Sequence, residues 1–255
     1  MQKKIYSYGK KVRSMIQSMI EITAEYWPMF LRGAGMTLLI AITGTILGAL
    51  IGLIIGVIRT IPKPDKGWKR VFLKTIDFLL ACYIEFFRGT PMMVQAMIIF
   101  YGIAQVFGIH LNVTLAAIFI VTINTGAYMA EIVRGGIISI DKGQFEAAQA
   151  IGMTHVQTMT NIVLPQVLRN ILPATGNEFV INIKDTSVLS VISVTELFFQ
   201  GRSVQGATFD TFATYFIIAL IYLFLTFTVT RILRLIERKM DGKEHYDLSG
   251  NQMQI

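Results

Sequence analysis

Residues 33–58 read GAGMTLLIAITGTILGALIGLIIGVI, a stretch bounded by Arg32 and Arg59 that holds no Asp, Glu, Lys or Arg. A hydrocarbon core roughly 30 Å thick is crossed by about 20 apolar residues at helical rise, so this stretch predicts a membrane-spanning helix. Three further charge-free runs follow: 89–109 after Arg88, 111–130 up to Glu131, and 211–230 between Asp210 and Arg231. A fifth run, 171–194, is apolar but holds Glu178, Lys184 and Asp185. Each central charge costs roughly 2.5 to 3.5 kcal/mol on insertion scales unless protein or water covers it, so this run is expected as an inner helix. The fold class that follows is an all-α integral membrane protein with about five transmembrane helices.

Composition agrees. Of 255 residues, 53% are hydrophobic and 15% charged, which argues against a soluble enzyme. Seventeen Phe and nine Tyr supply enough apolar surface to exclude disorder. The net charge of +7 does not point to nucleic acid, because the cations border apolar runs and are not interleaved with aromatics on a soluble face. Cys82 is the one cysteine, and His110, His155 and His245 are far apart, so neither a disulfide nor a metal-ligand spacing is present.

Orientation follows from cations near span ends. Arg59, Lys63, Lys66, Lys69, Arg70 and Lys74 follow the first span, whereas the link 108–112 has none. The former is expected in the cytoplasm and the latter outside. Five spans then put the C-terminus in the cytoplasm, in agreement with Arg231, Arg234, Arg238, Lys239 and Lys243, and put 134–169 there too. Lys3, Lys4, Lys10, Lys11 and Arg13 conflict with this rule, because the N-terminus falls outside. Glu21 and Glu25 interrupt what a signal peptide would need as an apolar core. Apolar positions from Met15 to Phe30 recur at helical spacing, so residues 1–31 read as an amphipathic interfacial segment with Trp27 at headgroup level, or as a helix packed along the first span. Residues 32–240 form the transmembrane domain, 241–255 a cytoplasmic tail, and Pro62-Lys63-Pro64 a turn.

Within the first span Gly44, Gly48, Gly52 and Gly56 repeat every four residues, a ridge along which another helix approaches closely, in this chain or in a second subunit. Pro91 breaks an amide hydrogen bond inside the second run, so a kink or re-entrant bend is expected near Arg88, with Arg88 on freed carbonyls or lipid phosphate. Glu131 and Arg134 are three apart on one face and read as a stabilising pair ahead of the alternative, direct transport chemistry.

The most informative stretch lies between the third and fourth runs. Residues 144–151 favour helix, Gly152 permits a sharp turn, and Pro165 restarts the chain without needing an amide donor. The fixed positions are Glu146-Ala147-Ala148, Gly152, Ile162, Leu164 and Pro165, spelling EAA-x3-G-x9-I-x-LP. This spacing resembles the EAA loop of the permease subunits of ATP-binding cassette importers, with every fixed position filled.

Phe87-Arg88-Gly89-Thr90-Pro91 with Val94-Gln95, Gly126-Ala127-Tyr128 with Glu131 and Arg134, and Lys184-Asp185-Thr186-Ser187 with Glu196 are similar to the polar amino acid branch, the histidine, glutamine, arginine and cystine type of permease. The likeness extends over roughly residues 36–240. It implies a type I importer fold in which 143–165 holds a coupling helix seated in a groove of a cytoplasmic ATPase dimer. It also implies a second permease subunit, identical or homologous, an extracytoplasmic solute-binding protein, a polar amino acid substrate and a bacterial inner-membrane location. No cofactor is expected in this chain; ATP and Mg are expected on the partner ATPase.

Intramembrane polar groups tend to face a bundle interior or an aqueous cavity. Glu178 and Asn182 share a helical face, Lys184 and Asp185 point apart, and Asn124, Tyr128 and Ser187 are further polar candidates. These six, Asn124, Tyr128, Glu178, Asn182, Lys184 and Ser187, are expected to line the substrate route or to hold the bundle together by interhelical hydrogen bonds. No Gly-x4-Gly-Lys-Ser/Thr phosphate loop occurs, and the outward connection 196–210 is too short to fold as a ligand-binding domain, so both tasks fall to other chains. The rival readings are a channel, a permease for another small polar solute, and a membrane enzyme. No His-Glu-x-x-His and no histidine well inside a span supports the last.

Overall fold

The computed structural model describes residues 2–62 and 66–240, with side chains from residue 14 onward. The basic residues Lys3, Lys4, Lys10, Lys11 and Arg13, the turn residues Lys63 and Pro64, and the tail 241–255 lie outside what is described, the first group in its side chains only. The described elements are helical. They are α1 (Gln2–Arg59), α2 (Trp68–Gly89), α3 (Met92–Met97), a π turn (Ile98–Gly102), α4 (Ile103–Phe107), α5 (Val113–Ile138), α6 (Lys142–Ala150), α7 (His155–Thr158), a second π turn (Met159–Val163), α8 (Leu164–Asp185), a 3-10 turn (Thr186–Ile192), α9 (Leu197–Thr208) and α10 (Thr211–Met240).

Three helices are long and apolar enough to cross a membrane, Ser14–Arg59, Val113–Ile138 and Thr211–Met240, and a fourth crossing arises if the bent pair 68–89 and 92–107 counts as one span. Helix α8 carries Glu178, Lys184 and Asp185 and packs against α1, α5 and α10, where the inner helix was expected.

The 46 residues of α1 from Ser14 to Arg59 are about 70 Å long at 1.5 Å per residue, more than twice the hydrocarbon thickness. The helix over Met15–Phe30 does not stop before the first span but continues into it through Pro28. Part of its apolar face is covered by α9 and α10, Ile22 and Phe30 sharing a buried cluster with Leu197, Val204, Ala213, Ile217 and Ile218, while Ile20 and Trp27 stay exposed. The Ser18 hydroxyl donates to Asp210 Oδ2 at 2.6 Å, so the start of α1 and the start of α10 lie at the same end of the bundle.

The glycine ridge finds its partner inside the chain. A Cβ at Gly44 would fall 2.5 Å from Val121 Cγ1, at Gly48 2.7 Å from Thr125 Cβ, and at Gly56 2.6 Å from Val133 Cγ1. At Gly52 it would collide with Met129 Cβ and lie 2.8 Å from the Ala130 amide nitrogen. The i, i+4 ridge of α1 therefore seats on the i, i+4 row Val121, Thr125, Met129 and Val133 of α5, and the absence of side chains lets the backbones approach.

The second charge-free run is not a single helix. Helix α2 begins at Trp68, inside the stretch that the sequence assigns to a basic connection, because Lys69, Arg70, Lys74, Asp77 and Glu85 leave no charge-free window to betray it. Helix α2 and the segment 92–107 then meet at 110° across Gly89-Thr90-Pro91. Thr90 is extended (φ −121°, ψ 148°), as a residue before proline tends to be, and Pro91 opens α3 without an amide donor. The expected bend is thus present. Its carbonyls are held by another residue than Arg88: the Gln95 side chain, 2% exposed, donates to Phe87 O at 3.0 Å and Thr90 O at 2.9 Å, and Asn124 Nδ2 donates to Phe87 O at 3.3 Å.

Candidate functional site

Two groups of residues carry chemistry or contact, one at the α6–α7 loop and one on the polar face between α2, α5 and α8. The loop is built as a lever. Asp141 caps α6 by accepting from the Gly143 amide at 2.6 Å. Helix α6 ends in a Schellman arrangement, with Gly152 N–H on Gln149 O at 2.9 Å and Met153 N–H on Ala148 O at 3.0 Å. Gly152 sits at φ +81° with nothing within 4 Å of a would-be Cβ, so the requirement for glycine there is conformational and not steric. Thr154 and Gln157 then form a reciprocal capping box that starts α7. Pro165, at the start of α8, has no amide to offer the preceding turn, and residues 159–163 widen into a π turn just before it. The sequence-predicted helix, turn and restart are all present, the restart as a widened but unbroken helix.

One side of this lever is rooted in the bundle. Ala148 is 2% exposed, Phe145 and Leu164 pack on a cluster of Met129, Val133, Ile137, Met159, Val163 and Val167, and the amides of Gln144 and Gln166 bond reciprocally at 3.2 and 2.6 Å. Gln166 also donates to Ile162 O at 2.8 Å. The other side is open: Glu146, Ala147 and Gly152 are exposed, and beside them Ile151 is 77% and Val156 68% exposed. Two large apolar side chains are thus presented at the surface near the turn of the loop. The seven-position pattern does not contain Ile151 and Val156, and their neighbours Gly152 and His155 gave no signal that they would be presented.

The six polar candidates separate. Asn182, 4% exposed, donates from Nδ2 to Thr45 Oγ1 at 2.8 Å and Thr125 Oγ1 at 2.9 Å, joining α8 to α1 and α5. Asn124 donates to Gln95 Oε1 at 3.0 Å as well as to the bend. Tyr128 lies under Arg88, whose guanidinium carbon is 5.4 Å from the ring centroid. Glu178 is half-buried and within electrostatic reach of both Arg88 and Asp185. Arg88, Tyr128, Glu178 and Asp185 therefore gather a guanidinium, a phenol and two carboxylates from three helices. Ser187 is half-buried on the turn beyond Asp185, and Lys184 lies on a different face, in a groove toward α10. Arg88 and Asp185 were legible as charges but not as members of a group, because α2 was not visible as a helix.

A third cluster enlarges the expected Glu131–Arg134 pair. Arg134 bonds Glu131 Oε2 at 2.7 Å, while Arg59 bonds Glu131 Oε1 and reaches Asp77 Oδ1 at 3.2 Å. The cluster ties α1, α2 and α5. Among the described residues, no group of three His, Cys, Asp or Glu could hold a metal ion.

Comparison with known proteins supplies the context. Residues 67–242 match the family model described as "Binding-protein-dependent transport system inner membrane component". The chain is 38% identical over 214 residues to the glutamine transport system permease protein GlnP of Escherichia coli (strain K12), covering 84% of this chain and 93% of that protein. It is 34% identical over 217 residues to the arginine transport system permease protein ArtQ of Bacillus subtilis (strain 168), covering 85% and 94%. Among solved structures, an amino acid ABC transporter crystallised with histidines superposes at a TM-score of 0.76 with 38% identity, over 85% of this chain and 96% of that one.

Proposed function

This chain belongs to the binding-protein-dependent transport system inner membrane components, and from that premise we propose that it is the permease subunit of an ATP-driven importer of polar amino acids. Its membrane-spanning helices belong to the inner membrane. The ATPase is a separate cytoplasmic dimer that holds ATP and Mg, and an external binding protein delivers the solute. A second permease copy, identical or homologous, completes the pathway.

The lever carries the reading. Glu146, Ala147, Ile151, Gly152 and Val156 seat in the ATPase, Ala148 and Leu164 anchor the lever to the bundle, and Ile162 and Pro165 set the restart of α8 behind it. Closure of the ATPase pair moves α6, and the bond between Gln144 and Gln166 together with the Phe145 contacts passes that movement to α5 and α8. Helix α8 carries Glu178 and Asp185 toward its far end, and α5 carries Tyr128 near its middle. The loop end is read as cytoplasmic from the cations that border it and the end with Ser18 and Asp210 as outward, an N-terminus outside running against its own cations.

For the solute, Arg88 suits a carboxylate and Glu178 with Asp185 suits an ammonium, the two charged groups common to amino acids. Tyr128 and Ser187 line the route, Asn124 and Asn182 hold its walls, and Lys184 lies off it. Copurification tests the loop: Gly152→Pro, which forbids φ +81°, and Glu146→Lys are expected to insert normally but lose the ATPase. ATPase recovered at wild-type yield with both variants contradicts the assignment.

A further inference from the structure

Helices α8 and α10 run antiparallel and touch closely at Gly176, where a Cβ would fall 3.1 Å from Leu233 Cδ1. Beyond that contact they diverge around a groove of about 270 Å³, lined by Val180 and Lys184 of α8 and by Leu223, Thr226, Phe227, Thr230, Arg231 and Arg234 of α10. Three cations from two helices converge on it, and among the described residues none of them forms an ion pair with a carboxylate. Lys184 acts electrostatically on Asp185, its chain neighbour, but Asp185 points to a different face. Arg231 is held in place by packing, its guanidinium carbon 4.8 Å from the Phe227 ring centroid.

The position of the groove in the membrane narrows what fits. Arg231 is the first charge after the apolar run 211–230, so the groove straddles the level at which α10 leaves the hydrocarbon. Lys184 enters the same groove from α8. On the hydrocarbon side Leu223 is 61% and Phe227 55% exposed. Arg231 and Arg234 at one end, bare Leu223 and Phe227 at the other and Lys184 facing the groove from α8 match an amphipathic anion, and basic pockets between transmembrane helices bind anionic headgroups. We propose that Lys184, Arg231 and Arg234 form a binding site for the phosphate of an anionic membrane lipid, whose acyl chain lies along Leu223 and Phe227. Arginine forks grip phosphate oxygens in pairs, and the apolar end gives a free phosphate nothing to bury. The site requires only that α10 spans the membrane; coupling to an ATPase does not enter.

The test uses the full chain in nanodiscs of phosphatidylcholine containing phosphatidylglycerol, with native mass spectrometry counting the lipids retained after mild delipidation. Wild type is expected to retain phosphatidylglycerol selectively. Loss of one cation is expected to weaken retention roughly fivefold, and loss of all three on the order of a hundredfold. The variants are Arg231→Gln alone, which leaves the helix contacts at Gly176 in place, and the triple Lys184→Gln, Arg231→Gln, Arg234→Gln. Arg238→Gln with Lys239→Gln, on the same helix but outside the groove, is expected to retain the lipid. Unchanged retention in Arg231→Gln and the triple variant, or an equal loss in the Arg238, Lys239 pair, overturns the site. Displacement of phosphatidylglycerol by millimolar inorganic phosphate overturns the lipid in favour of a free anion.

Discussion

The seam between α1 and α5 and the groove between α8 and α10 are both contacts between membrane helices that use glycine, yet the first closes along four successive turns and the second at one point. Gly44, Gly48, Gly52 and Gly56 bring two backbones together with no room for a methyl group, whereas Gly176 makes one close approach to the flexible end of Leu233. The closed seam fixes α1 to α5, so whatever moves α5 carries α1 with it. Helix α8 also uses its amide differently from its charges: Asn182 is engaged by Thr45 and Thr125, while among the described residues the side chains of Glu178, Asp185 and Lys184 form no hydrogen bond or close ion pair. Closed contacts hold the frame, and the open ones are where ligands are expected.

The largest effect expected from this contrast is at Gly52. Gly52→Leu forces side chain onto the backbone of α5 and is expected to cost more than about 3 kcal/mol, beyond ordinary overpacking. Gly35→Leu, where a Cβ meets nothing within 4 Å, is expected to stay within about 0.5 kcal/mol. Thermal unfolding in detergent compares them, and equal midpoints for the two would mean that the seam is not closed. Next comes the division of labour on α8. Glu178→Gln is expected to lower uptake at subsaturating substrate by roughly tenfold, the loss of one charge-assisted hydrogen bond, with an unchanged unfolding midpoint. Asn182→Ala is expected to do the opposite, costing about 1 kcal/mol of stability with uptake kinetics per folded transporter preserved. Exchange of these two phenotypes would reverse the roles assigned to the faces.

The smallest effect is at the end of the bundle where Ser18 meets Asp210. Ser18 and the Ala213 amide both donate to Asp210 and hold its carboxyl below the usual range. A carboxylate depressed in the folded state adds stability above its unfolded value of about 4, and that stability is lost as pH falls through the folded value. Asp210→Asn is expected to lower the unfolding midpoint slightly at pH 7, with the gap closing in acid; a gap independent of pH would remove Ser18 as the partner. Since Asp210 is solvent-screened, the shift is expected to be small.

Much of this architecture is readable before any coordinates. The runs at 33–58, 111–130 and 211–230 are long and charge-free, and their solvent is lipid, so composition alone locates them. Pro91 announces its bend, and Gly152 its turn, because each is a backbone constraint carried by one residue. Helix α2 stays hidden because Lys69, Lys74, Asp77 and Glu85 break every apolar window while occupying only part of the helix surface. The roles of Gln95 and Arg59 are equally invisible: the carbonyls that Gln95 caps are freed by a bend, and Asp77 and Glu131 reach Arg59 only through folding. The partner of the glycine ridge could not be read either, since a ridge of small residues specifies close approach and not which helix approaches.

The transport reading stands on the α6–α7 lever meeting an ATPase. The most direct measurement is thiol cross-linking from single cysteines placed at the two ends of the molecule, Ile151→Cys and Phe209→Cys, each in a Cys82→Ser background and each at a highly exposed position, 77% and 84% respectively. An adduct with the ATPase subunit from residue 151, sensitive to ATP, and none from residue 209, is the expected result. An adduct from 209 with none from 151 would contradict the account.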